Sequence, residues 1–120
     1  MIFSESYVAV LDNSGVRVGK CLRVYGKVRG TVGDIILLSV KKYVTNKKIE
    51  KGDMFRGVLV KINRNVFRKT GHYLRANLNA VVLIKKEETV PLAKRIKTPV
   101  FFELRKKGYS RLLSMAPGIF

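Results

Sequence analysis

The sequence predicts a mainly β fold, a small closed β-barrel of five or six strands with a basic β-hairpin and short C-terminal helices. Three observations predict it: strand-sized apolar or alternating segments, glycines at the corners between them, and a change of hydrophobic period beyond Pro91. A closed barrel is favoured over an open sheet because closure removes exposed edges. The 120 residues, 47% of them hydrophobic, suit a single domain, with the barrel at 1–90 and a helical tail at 91–120.

The first three strands are predicted from apolar runs that end at turn-forming residues. The run Tyr7–Leu11 stops at Asp12–Gly15, whose Asp, Asn, Ser and Gly residues favour a turn. From Val18 to Tyr25 the sequence alternates, which predicts a strand with one mostly buried face. The third strand, Ile35–Val40, is a continuous aliphatic run of the kind found in buried strands.

The remaining strands follow a polar loop predicted from Lys41 to Lys51. The alternating segment Met54–Ile62 predicts the longest strand of the chain. A hairpin with a basic tip is expected at 66–76, and a further strand at Leu78–Ile84. Asp34 and Asp53 each follow a glycine just before an apolar strand, so we expect their carboxylates to act as turn acceptors.

Two short helices are predicted near the C-terminus. Thr98 is expected to cap a helix that begins at Pro99 and ends at Gly108. A second helix is expected at Tyr109–Met115, before Ala116–Gly118 ends it.

Positive charge is spread along the whole chain. The 25 Lys and Arg residues against 8 Asp and Glu residues give a net charge of +17 and a pI near 10.4. No acidic residue lies between Met54 and Lys86. Such a surface repels itself unless a polyanion neutralises it, and solubility alone needs a net charge of only about 2–8. The expected partner is therefore nucleic acid.

Patterns for catalysis, metal binding or membrane insertion are not found. The sequence has no phosphate-cradling glycine motif and suggests no Ser–His–Asp trio. Cys21, the single cysteine, is expected to be a packed core thiol, and His72, the single histidine, a solvated or phosphate-facing side chain. Apolar runs are too short for a membrane helix, and the N-terminus lacks the patterns of a secretory signal or a transit peptide. We expect a protein that is not an enzyme and has no cofactor, metal or membrane partner.

Several segments carry a family resemblance through their order and spacing. In chain order they are Asp12–Arg17, Val32–Ile36, Lys51–Asp53, Gly57–Val60, Asn79–Leu83, Arg95–Ile96, Pro99–Val100, Glu103–Arg105 and Ser114–Pro117. Together they resemble the universal large-subunit ribosomal protein fourteen family in its bacterial and organellar form. The resemblance covers nearly the whole chain and implies a five-stranded barrel.

The chain departs from the family pattern in three places. Thr70 stands where the family usually has Asp, Asn or Ser, and Ala76 stands where it has an aromatic residue. The basic loop at Lys27–Thr31 is shorter than the bacterial one. These departures favour a mitochondrial ribosome, with the bacterial cytoplasm or a plastid as alternatives.

The resemblance also implies partners. Family members sit on large-subunit rRNA near the subunit interface beside another large-subunit ribosomal protein, help to form bridges to small-subunit rRNA, and can dock a ribosome-silencing factor. Phosphate contacts position a protein without reading sequence, so we expect recognition of folded RNA shape.

The predicted site residues fall into two sets. The first combines the turn that lies near RNA in family members with basic residues along the chain, and the second consists of basic residues on the face where the silencing factor docks in relatives. The predicted rRNA-binding residues are Asn13, Ser14, Arg17, Lys20, Arg23, Lys41, Lys42, Lys48, Arg56, Lys61, Arg64, Arg68, Lys69 and Arg75. The predicted partner or bridge face consists of Lys94, Arg95, Lys97, Arg105 and Arg111.

Two alternative functions remain open at this point. A free single-stranded nucleic-acid-binding barrel would stack bases on exposed aromatic residues, and Phe55, Phe67 and Tyr73 are the candidates. Core packing is the more expected role for these three. A protein acting on anionic membranes would need a long amphipathic basic helix, and the predicted helices are short.

Overall fold

The barrel is formed by four antiparallel strand pairs and is closed by one parallel pair. The computed structural model describes residues 2–44, 49–85, 91–93 and 95–119. Its elements are β1 (Tyr7–Val10), β2 (Val16–Val24), β3 (Ile35–Tyr43), β4 (Met54–Lys61), β5 (Val66–Phe67), β6 (Tyr73–Leu74), β7 (Ala80–Ile84), α1 (Glu103–Lys106) and α2 (Ser110–Met115). The barrel order is β1-β2-β3-β4-β7, and β5 pairs with β6 as a separate hairpin. The predicted fold class, a mainly β chain with a closed five-stranded barrel, a hairpin and short C-terminal helices, is confirmed.

Closure depends on the pairing of the first strand with the last. Ala9 lies opposite Ala80 in a parallel register, and Val10 lies opposite Val81. The Leu11 N–H donates to the Val81 carbonyl at 3.1 Å. Because β7 also pairs with β4 on its other side, the sheet is closed and each of its five strands is hydrogen-bonded to two neighbours.

Two apolar cores lie on opposite faces of β4 and β7. The barrel interior contains Leu59 and Leu83 together with Cys21, whose side chain is fully buried as expected. The outer core contains Val60 and Val82, against which the C-terminal segment packs. All five residues of β7 are therefore buried, since the strand is covered on both faces.

The burial pattern of β2 differs from the predicted single buried face. Cys21 and Val24 both lie in the barrel interior although they have opposite parity. The pairing of β2 with β3 shifts register between Cys21 and Arg23. This bulge inserts one residue and turns the following side chains over to the other face.

The polar loop predicted to start at Lys41 begins later, because β3 continues to Tyr43. Lys42 pairs with Val18 across the sheet, and Tyr43 pairs with Val16. The prediction that Lys41 and Lys42 lie in a loop is therefore wrong. Residues 45–48, which include the predicted rRNA-binding Lys48, lie outside the described residues.

The two Gly-Asp pairs form the same kind of turn, as predicted. The Asp34 Oδ2 accepts a hydrogen bond from the Thr31 N–H at 2.7 Å, and the Asp53 Oδ2 accepts one from the Glu50 N–H at 3.0 Å. The preceding glycines have φ of 89° and 91°, a left-handed conformation that other residues rarely adopt. In each turn the aspartate directly follows the glycine, and its carboxylate closes the turn by binding the N–H three residues earlier in the chain.

The helix predicted to start at Pro99 is much shorter, and the prediction that Thr98 caps it is wrong. α1 begins at Glu103, and the Thr98 Oγ1 is buried without a hydrogen-bond partner among the described residues. The Val100 N–H donates to Gly118 (3.1 Å), and the Phe101 N–H donates to Val60 of β4 (3.3 Å). These bonds hold the segment extended so that Phe101 is buried in the outer core.

The ends of both helices agree with the sequence. α1 is followed by Gly108 at φ 88°, the predicted stop, and α2 lies within the predicted Tyr109–Met115. Within the described residues, neither helix has the length and apolar character needed to cross a membrane.

Candidate nucleic-acid interface

The turn between β1 and β2 presents three predicted rRNA-binding residues on a rigid base. Asp12 is fully buried; its Oδ1 accepts hydrogen bonds from the Ser14 N–H (3.1 Å) and hydroxyl (2.5 Å), and its Oδ2 accepts one from the Leu83 N–H (3.0 Å). Asn13 and Arg17 are exposed beside this anchor, so their side chains are available to an RNA backbone. The Ser14 hydroxyl, in contrast, already donates its proton to Asp12.

Arg23 and Arg56 converge on one aromatic ring. Both occupy the same row of the sheet, since Arg23 pairs with Leu37 and Leu37 pairs with Arg56. Their Cζ atoms lie 5.4 and 4.8 Å from the centroid of the Tyr25 ring. The Arg56 Nε is buried and has no hydrogen-bond partner among the described residues. An anion such as a phosphate group, bound from the solvent side, would offset the repulsion between the two guanidinium groups.

The hairpin formed by β5 and β6 is tied to α1 through Arg68. Its Nε donates to the Glu103 Oε1 at 2.9 Å, and its second guanidinium nitrogen lies 3.4 Å from Oε2. Arg75 Nε donates to the Asn63 Oδ1 at 3.1 Å at the base of the hairpin. Lys69 and Arg64 are exposed. Of the predicted binding residues in this region, Arg68 therefore also has a structural role.

Two of the predicted lysines are less available than their sequence suggests. The Lys20 Nζ lies 2.5 Å from the Glu5 Oε2 in an ion pair, and the hydrogen bond and charge of that carboxylate raise the pKa of Lys20. Burial lowers the pKa of Lys61, which is half-buried. Lys41 is half-buried and Lys42 is exposed.

The predicted partner or bridge residues that the structure describes are all exposed. Arg95 and Lys97 flank Ile96, which is buried and bridges to Asp12 of the first turn. The two predicted sets therefore meet at that turn. Arg105 lies over the Phe102 ring at 5.1 Å. Arg111 is exposed on α2, and Lys94 lies outside the described residues.

The expectation of core packing is wrong for two of the three candidate stacking residues. Phe55 packs against the barrel interior as expected. Phe67 and Tyr73 are 77% and 63% exposed and contact each other. The reason is the alternation within the hairpin, where their neighbours Val66 and Leu74 pack against the outer core. The alternation in the sequence puts the two rings on the same face, but both faces of the hairpin carry apolar side chains, so the sequence alone does not tell which face is outside.

Sequence reasoning also missed the structural importance of Asp12 and a further exposed cation. Asp12 was expected only as a turn former, but its Oδ2 bond to Leu83 spans 71 positions of sequence. Arg29 is exposed with its Cζ 5.3 Å from the Phe3 ring, and it lies outside both predicted sets. Local sequence carries no signal for the first contact, because its two partners are distant in the chain.

The described residues contain no group of three or more His, Cys, Asp or Glu side chains that could hold a metal ion. The arrangement instead offers arginines, exposed lysines and aromatic rings, which suit binding of an anionic polymer.

A comparison with models of known protein families gives a match over residues 1–120, to the family described as Ribosomal protein L14p/L23e. The family resemblance of the sequence is thereby confirmed.

Proposed function

The chain belongs to the ribosomal protein L14p/L23e family, and we propose that it binds large-subunit rRNA near the subunit interface. Family membership makes it a structural constituent of the large ribosomal subunit, a role that is not enzymatic. The observation that carries the rRNA-binding proposal is the convergence of Arg23 and Arg56 on Tyr25. A phosphate of the RNA backbone would neutralise the two guanidinium groups that meet there.

The rest of the interface extends from this cluster over the basic faces of the barrel. We assign Asn13 and Arg17 of the first turn, Lys42 of β3 and Lys69 of the hairpin to contacts with RNA, because all four are exposed. These contacts fix the protein on folded RNA and carry no base code.

The second predicted set supports a further contact surface, which adjoins the first at the turn between β1 and β2. Arg95, Lys97, Arg105 and Arg111 are exposed, and we propose that they face a neighbouring ribosomal protein, small-subunit rRNA across a bridge, or a ribosome-silencing factor. We further propose that residues 1–120 act as one domain, because Phe101 and α2 share the outer core with β4 and β7. The ribosome proposed is mitochondrial, on the strength of the departures at Thr70 and Ala76.

The alternative is a free single-stranded nucleic-acid-binding protein, which the exposed rings of Phe67 and Tyr73 would suit. Membership of a ribosomal protein family favours the rRNA partner. The two functions differ in where the protein is found in the cell, and this difference decides the experiment.

The test uses the tagged full-length chain in its native cell and a sucrose gradient in which lowered magnesium separates the subunits. The wild type is expected to travel with the large subunit, to resist a moderate salt wash and to be released when the RNA is digested. The double variant R23Q/R56Q is expected to detach at lower salt. The slope of log affinity against log salt concentration should be shallower by roughly 0.7–1, since the arginine pair is proposed to contact one phosphate and each phosphate contact contributes about that much.

A matched control is K51Q/K106Q, which removes two exposed charges outside the predicted sets. If R23Q/R56Q stays bound at every salt concentration that the wild type resists, the arginine pair does not contact RNA. If the wild type runs at the top of the gradient as a free protein, rRNA binding is refuted and the single-strand alternative becomes the hypothesis.

A further inference from the structure

Phe67 and Tyr73 form an aromatic pair on the outer face of the β5–β6 hairpin. They lie directly opposite each other in the ladder, with ring centroids 6.1 Å apart and ring planes inclined at 53°. Their exposed fractions are 77% and 63%. Val66 and Leu74 point the other way, toward the outer core. The hairpin thus holds two adjacent rings away from the barrel.

This pair is more than a cross-strand contact within the hairpin. An aromatic cross-strand pair stabilises a hairpin through the surface that the two rings share. Here most of both rings remains in water, so that contact uses only a small part of their surface. A partner that covers the open ring faces would remove this apolar surface from water, and the complex would gain the favourable free energy of that burial.

The charge around the pair specifies the chemistry of that partner. Lys69 and His72 of the turn and Arg75 beside β6 are exposed. Between Met54 and Lys86 the sequence contains no Asp or Glu. The carboxylate of Glu103 reaches the hairpin from α1, but Arg68 binds it. The exposed rings favour a partner with a flat ring of its own, and the surrounding positive charge favours a partner that is negatively charged. An unpaired nucleotide has both properties.

We propose that the Phe67–Tyr73 pair is a stacking platform for an unpaired nucleobase of RNA, with Lys69 and Arg75 contacting the flanking phosphates. This inference rests on the proposed rRNA binding and names the part of the RNA that the hairpin contacts. The base stacks on the open face of one ring. It does not enter between the rings, because two contact distances of roughly 3.5 Å each exceed the 6.1 Å centroid separation.

The test compares two probes of equal length and phosphate number, a short oligoadenylate and an abasic oligomer, both titrated against the full-length chain at the same salt concentration. The wild type is expected to bind the oligoadenylate more tightly. F67A/Y73A is expected to lose about 5- to 150-fold of affinity for the oligoadenylate and to bind the abasic oligomer as the wild type does. Both side chains are exposed, so its melting temperature should fall by at most about 4 °C, the effect of losing one cross-strand pair.

Three further variants sharpen the result. F3A/Y7A removes two other exposed aromatic residues and should keep the wild-type preference. F67L/Y73L keeps an apolar surface without aromatic faces and should lose the preference. Because the chain has no tryptophan, F67W adds a single fluorescent reporter, whose emission should be quenched by the oligoadenylate and much less by the abasic oligomer.

The stacking platform is refuted if F67A/Y73A retains the preference for the oligoadenylate, or if F67L/Y73L binds both probes as the wild type does. The second outcome would show that an apolar contact suffices and that the base does not stack on an aromatic face. Failure of the proposed rRNA binding is separate, since it would appear as a wild-type chain that does not travel with the large subunit, whatever its preference between the two probes.

Discussion

Replacing Asp12 by Ala should destabilise the barrel far more than an ordinary turn substitution. Its carboxylate is fully buried and accepts the Leu83 N–H of β7 together with the N–H and hydroxyl of Ser14. Without the carboxylate, the buried Leu83 N–H has no acceptor, which costs about 1–3 kcal/mol. The bonds to Ser14 add about 1 kcal/mol, because water can replace them only in part.

The expected loss in the free energy of unfolding is therefore about 2–4 kcal/mol. At about 4 °C per kcal/mol for a domain of this size, the melting temperature should fall by roughly 8–16 °C. Thermal unfolding followed by circular dichroism, with urea unfolding as a second measurement, gives both quantities. Asp12→Asn keeps one acceptor oxygen and should lose about half as much.

Asp53→Ala is the matched control, since Asp53 also closes a turn but does so with an exposed bond to the Glu50 N–H. It should cost about 0.5 kcal/mol. If Asp12→Ala melts within about 2 °C of Asp53→Ala, the bond to Leu83 does not hold the turn on the barrel, and the rigid presentation of Asn13 and Arg17 has another cause.

Two further predictions concern the ion pairs of Asp34 and Arg68. Burial opposes ionisation of Asp34, but hydrogen bonds from Thr31 and Lys27 outweigh it and hold the pKa of Asp34 below its ordinary value of 3.8. The stability from this carboxylate is therefore present above that value and lost as the pH falls through the lower, folded-state pKa. Asp34→Asn should be about 1–2 kcal/mol less stable at neutral pH. Its free energy of unfolding, measured in urea, should also fall less steeply as the pH is lowered. An equally steep acid limb in Asp34→Asn would contradict this. Arg68→Glu should lower the free energy of unfolding by about 1–2 kcal/mol, because it places two carboxylates together where Arg68 now binds Glu103. The double variant R68E/E103R should recover at least half of that loss. No recovery in this double-mutant cycle would show that the pair does not couple the hairpin to α1.

The role of Arg68 also changes how charge reversal on the hairpin should be interpreted. From the charge map alone, reversing Arg64, Arg68 and Arg75 together is expected to block incorporation into the subunit and leave the fold intact. Because Arg68 binds Glu103, that triple variant would lose stability as well. Charge reversal that spares Arg68 separates an effect on RNA binding from an effect on folding.

The sequence alone determined the fold class, the approximate strands and the class of partner. The strands β1, β4 and β7 follow from apolar or alternating runs bounded by turn formers, and these signals lie within a few residues of one another. Net charge is a sum over the chain and needs no structure. Asp34 and Asp53 were identified as turn acceptors because the whole turn is local in sequence.

The tertiary structure decided what depends on contacts between distant residues. Glu103 meets Arg68 across 35 positions, a separation at which sequence spacing has no predictive value. The segment from Thr98 to Phe101 is not helical, since one hydrogen bond to β4, one to Gly118 and the burial of Phe101 outweigh its local helix signals. The exposure of Phe67 depends on which face of the hairpin packs on the outer core, and only the assembled barrel fixes that face.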